Sequence, residues 1–139
     1  MKKFFKTTLA IMLITCFALF GTACRINKDW RDVEEKLIDE NYEVQATTSE
    51  TYIEYYLEDF NLDDFAKDVE CVMMAEKGSK CIFIVFCEDR ATAKDIKSEA
   101  EDMVEDVADM MDIDEDDLKL GRDGKVVYLG HKDAVKAAK

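Results

Sequence analysis

Carboxylates are the residues with most chemistry to offer in this chain. The run Asp112-Ile113-Asp114-Glu115-Asp116-Asp117, followed by Asp123, spaces oxygen ligands as a hard divalent cation would use them. Asp112, Asp114, Asp116 and Asp123 fall at positions 1, 3, 5 and 12 of a calcium-loop frame. The frame breaks at position 6, where Asp117 replaces the turn glycine, and at position 8, where Lys119 stands for an apolar residue. Position 12 is an aspartate instead of a bidentate glutamate. The expectation is a weak calcium site using some of these carboxylates, not an EF-hand.

A second acidic set is periodic. Asp95, Glu99, Asp102, Asp106 and Asp109 recur every three or four residues, one stripe on a helix expected from about Ala91 to Met111. Like charges at i,i+4 each cost a helix about 0.2–0.5 kcal/mol. Acids also crowd the helix C-terminus, where the dipole favours cations. The stripe reads as a solvated face or as a docking surface for a cationic ligand.

Other reactive types are sparse. His131 is the single histidine, beside Gly130 in a turn, and no Ser-His-Asp order, H-E-x-x-H or Gly-rich phosphate loop occurs. Carboxylates are too abundant for any one pair to mark an acid/base site, so no enzyme is expected. Of five cysteines, Cys71, Cys81 and Cys87 belong to the body of the chain. They form no C-x-x-C and no Cys/His cluster, and they read as small buried residues on strands. A bridge between Cys71 and Cys87 needs a three-residue loop at 78–80. A two-residue loop at 78–79 places Cys71 opposite Phe86 instead, and the sequence leaves both registers open.

The elements that position these residues follow from periodicity. Trp30, Val33 and Leu37 predict a helix over 29–40, and Tyr42, Val44 and Ala46 alternate as a half-buried strand. Thr47-x-x-Glu50 has capping-box form, ahead of a helix whose Tyr52, Ile53, Tyr56, Leu57 and Phe60 share a core face. Residues 69–76 and 80–88 predict a hairpin. Its second strand is apolar on both sides, which demands cover for both faces of the sheet. After the long helix, 118–130 predicts a hairpin around Asp123-Gly124, pairing Leu120 with Val127 and Leu118 with Leu129. A short helix ends the chain.

The fold class is α+β: one small domain with an antiparallel sheet of four to five strands and extra N- and C-terminal helices. The β-α-β-β-α-β middle has ferredoxin-like order. The helix over 29–40 or the C-terminal helix could cover the second sheet face. Left bare, Val72, Met74, Ile82, Ile84 and Phe86 would form an exposed contact patch.

The front of the chain is an address. Lys2, Lys3 and Lys6 precede an uncharged run, Thr7 to Ala23, which ends in small residues before a cysteine. Phe20-Gly21-Thr22-Ala23-Cys24 resembles the signal of bacterial membrane lipoproteins of Gram-positive type, with Gly21 where leucine is usual. The resemblance implies cleavage after Ala23, a diacylglyceryl group on Cys24 and a protein held on the extracytoplasmic face of the cell membrane. The competing reading is an uncleaved anchor, for which the run is just long enough. The resulting division is a signal over 1–23, a lipidated cysteine and short tether over 24–28, and a domain over 29–139.

Three of the 19 basic residues and none of the 32 acidic ones lie in the signal, so the remainder carries a net charge of −16. Such a body is repelled by nucleic acid and by anionic lipid, which disfavours a nucleic-acid or membrane-surface role; the cations expected near the membrane are Arg25, Lys28 and Arg31 at the tether. The expected function is a non-enzymatic, lipid-anchored binding module whose partner is an envelope protein or cationic ligand. The alternative is a divalent-cation-responsive module built on 112–123.

Overall fold

The computed structural model describes residues 25–139. The signal expected over 1–23 and the lipidation expected at Cys24 lie outside the described residues. Helix α1 (Trp30–Asp39) is opened by Asp29, whose carboxylate accepts from the Arg31 amide at 3.1 Å. It ends before Asn41, which takes the left-handed conformation. Strand β1 (Glu43–Thr47) follows, then α2 (Glu50–Glu58) and a 3₁₀ turn (Asp63–Asp68). The expected capping box does not form. Thr47 Oγ1 accepts from the Ser49 amide at 3.2 Å, and Ser49 becomes the N-cap of α2. Strands β2 (Val69–Lys77) and β3 (Lys80–Cys87) form the first hairpin. Helices α3 (Arg90–Glu101) and α4 (Val104–Met111), the hairpin β4 (Leu118–Asp123) and β5 (Val126–His131), and α5 (Lys132–Ala138) complete the fold.

The five strands form one sheet in the order β1-β2-β3-β5-β4, every neighbour antiparallel. The class is α+β, as expected, but the pairing is not strictly ferredoxin-like. The chain leaves β1 through α2 and returns beside it, so no split β-α-β unit forms.

Both hairpin loops have two residues, Gly78-Ser79 and Gly124-Lys125, with positive φ only at the glycine, the requirement of a II′-like turn. This corrects the second hairpin. Its loop lies one residue later than expected, so Leu120 faces Leu129 and Leu118 faces His131. Arg122 Nη1 donates to Gly124 O at 2.7 Å and braces the turn.

The first loop decides the cysteines. Cys71 lies opposite Phe86, and a bulge at Glu70 leaves Val69 opposite Cys87. Cys71 and Cys87 enter different cores on opposite sheet faces, so of the two registers the sequence left open the one without a bridge is found, and both are free thiols.

One sheet face is closed by α1 and α5 together. Val33 and Leu37, with Ala134, Val135 and Ala138, pack on Met73, Ala75, Ile82, Ile84, Phe86 and Tyr128. The cover that the sequence assigned to one or other terminal helix is supplied by both, and the patch that a bare face would have left is absent among the described residues. Ile82, Ile84 and Phe86 are covered, and the observed register turns Val72 and Met74 to the other face. Ile26 joins this core, and its amide donates to Asp123 Oδ2 at 2.8 Å. Ile26, within the 24–28 segment of the sequence division, thus packs with the domain.

The other face packs Val72, Phe83, Val85, Val127 and Leu129 against Ile53 and Leu57 of α2, Ala93 and Ile96 of α3, and Val107 of α4. The single helix expected over 91–111 is two. Met103 leaves helical geometry, and its amide donates to Ala100 O, one residue short of an α-helical bond. Glu101 with Glu105 and Asp102 with Asp106 would be like-charge i,i+4 pairs in an unbroken helix, which favours the break there.

Candidate functional site

The acidic segment does not gather into a cation loop. Asp112 caps α4 in the left-handed conformation, and Asp117 pairs with Lys132 at 3.0 Å. That contact, first as a hydrogen bond and then as an ion pair, raises the Lys132 pKa. Asp123 sits at the opposite end of β4, roughly 17 Å along the strand from Leu118, and accepts from the Ile26 amide. Asp112, Asp114, Asp116 and Asp123 therefore do not share one site, because the segment runs into a strand instead of looping back. Among the described residues, no group of three His, Cys, Asp or Glu is placed to hold a metal ion.

Asp95, Glu99, Asp102, Asp106 and Asp109 are all exposed, but the break at Asp102–Met103 divides them between α3 and α4. The continuous stripe expected from spacing is not one helical row. His131 is structural: its Nδ1 accepts from the Asp133 amide at 3.1 Å and caps α5.

What the structure brings together is a groove on the α2/α4 side of the sheet, of about 400 Å³. Its floor is two rungs of adjacent strands. Glu43, Glu76 and Cys81 make the outer rung; Gln45, Met74 and Phe83 make the inner one. Tyr56, Asp59 and Phe60 at the end of α2 form one wall, and Met110 and Met111 at the end of α4 form the other. The Phe60 and Phe83 rings lie 4.5 Å apart and fix the apolar bottom. Cys81 Sγ donates to Met111 O at 3.6 Å and ties the floor to the α4 wall. Burial raises the Cys81 pKa, and the charges of Glu76 and Asp112 raise it further, so the side chain stays a protonated thiol.

The electrostatics of the groove are one-sided. Glu43 and Glu76 stand directly opposite each other, an arrangement that costs a strand pair stability. Asp59 adds a third carboxylate at the rim. None of the three joins an ion pair within the described residues. The nearby cations serve the closed face. Lys77 donates to Glu40 O at 3.0 Å and lies over the Tyr42 ring, and Lys80 pairs with Asp133 at 3.3 Å.

Reading the sequence as a core stripe caught Phe60 but misplaced Tyr52, which is 60% exposed, while its neighbour Tyr55 is 63% exposed. It missed Glu43, Gln45, Met74, Glu76, Met110 and Met111 as a group. The available signal was the polar side of β1, which becomes a site only once strand register is known. At the pole where the described chain begins, Arg25, Lys28, Lys36 and Lys139 surround a second cleft of about 630 Å³.

These features define an α+β sandwich with one closed and one grooved sheet face. Compared with protein-family models, with curated proteins and with solved structures, the chain matches none.

Proposed function

We propose that the chain is a non-enzymatic, lipid-anchored extracytoplasmic binding module that receives its partner in the groove between α2 and α4. The observation that carries the reading is a groove in which Tyr56, Met74, Met110 and Met111 stay partly or fully accessible, over a sheet otherwise packed on both faces. Met110, 51% exposed on the wall, offers a flexible apolar contact of the kind used at adaptable binding surfaces. The tethering half of the proposal rests on the signal-like run ending at Cys24. It is supported by the buried Ile26, two residues later, and by the basic residues around that pole, which suit an anionic bilayer surface. No described helix is long and apolar enough to cross a membrane.

Two measurements test it. The neutral dye N-phenyl-1-naphthylamine should brighten on mixing with the protein, and Met110→Glu should abolish the gain without changing the unfolding midpoint. Brightening that ignores Met110→Glu would reject the groove. Intact mass of protein from the membrane fraction should show a chain starting at Cys24 with one diacylglyceryl group, carrying two acyl chains, in thioether linkage to its thiol. A free thiol at Cys24 would reject the anchor.

A further inference from the structure

We infer that the groove's occupant is a peptide segment carrying a large apolar side chain flanked by lysine or arginine. The inference rests on the groove reading above and adds the chemistry of the ligand. The floor and walls supply apolar contact through Tyr56, Met74, Met110 and Met111, which a cation alone cannot use. The volume of about 400 Å³ sits at the low end of ligand sites and suits a few side chains, not a folded surface.

Charge complementarity sets the rest. Every charged residue lining the groove is acidic: Glu43, Asp59 and Glu76. Glu43 and Glu76 face each other across β1 and β2 without a cation between them, so a guanidinium or ammonium placed there meets two carboxylates at once. Lys77 and Lys80, which could have neutralised them, are committed to the opposite face. An anionic or purely apolar ligand would leave that repulsion in place. A basic one relieves it on binding.

The test uses the purified protein and fluorescence anisotropy of three labelled, amidated hexapeptides. The first alternates lysine with leucine and phenylalanine. The second replaces lysine by glutamine, and the third replaces the apolar residues by serine. The first should bind about tenfold tighter than either control, and its affinity should fall as salt rises. The double variant Glu43→Gln/Glu76→Gln should weaken the first peptide about tenfold and weaken the glutamine peptide much less. Equal binding of the lysine and glutamine peptides, or no effect of the double variant, would overturn the inference while dye binding keeps the groove reading alive. Equal binding of the serine peptide would also overturn it, because a bare cation would then suffice. Loss of dye and peptide binding together would overturn both.

Discussion

The same three strands carry two different surfaces, one residue out of phase. On the closed face the rung is Val44, Ala75 and Ile82, covered by α1 and α5; on the grooved face the adjacent rung is Glu43, Glu76 and Cys81, open between α2 and α4. Alternation along a strand lets one segment serve the core and the site at once. Charge follows the same division. Lys77 and Lys80 satisfy partners on the closed side, and the carboxylates stay unpaired on the grooved side. Both faces carry a buried core, and the grooved one also carries a local electrostatic cost at its open edge.

Breaking the closed face should have the largest effect. A Cβ at Gly130 would collide with backbone of β3, at the Cys81 carbonyl and Ile82 Cα. Gly130→Ala should cost about 3 kcal/mol or more by urea unfolding. Leu37→Ala, which empties a fully buried position under α1, should cost about 2–5 kcal/mol. Met110→Ala on the groove wall should stay within about 0.5 kcal/mol. If Met110→Ala were as damaging as Leu37→Ala, the division between faces would fail.

Alkali probes both cores through their thiols. Burial pushes Cys71 and Cys87 from 9.0 up to about 12 in the folded protein. Their stabilising contribution is therefore full below pH 9 and is lost as pH rises towards 12. Over that interval each thiol should add a slope of about 1.4 kcal/mol per pH unit, and Cys71→Ala or Cys87→Ala should remove one share. Unfolding curves collected through this range check the slope difference.

A smaller effect has the opposite sign. Glu43→Gln ends the like-charge pair and should stabilise the protein by about 0.2–1 kcal/mol, while weakening the basic peptide. A destabilised Glu43→Gln would show that the carboxylate is used in the fold. Smallest of all, millimolar calcium should shift the unfolding midpoint no more than ionic-strength-matched monovalent salt, because Asp123 is separated from Asp112–Asp116 by β4.

The helices and strands were legible wherever one period dominated. Val33 and Leu37 marked α1, and the doubly apolar β3 announced a sheet covered on both sides. What escaped depended on register or on competition between local terms. A glycine at the first loop position moved the second hairpin by one residue, and the long helix breaks at Met103, which apolar periodicity does not signal. The groove was hidden for the same reason. Glu43, Asp59, Met74 and Met110 come from four separate segments, and no spacing in the chain links them. The acidic runs that drew notice in sequence were neighbours only along the chain.

The most direct test is a methyl NMR titration of methionine-labelled protein with the neutral naphthylamine dye. Met73 and Met74 are consecutive but point into opposite faces, which makes Met73 an internal control. The account predicts shifts at Met74, Met110 and Met111 with Met73 unmoved. Equal movement of Met73, or silence at all three groove methyls, would contradict it.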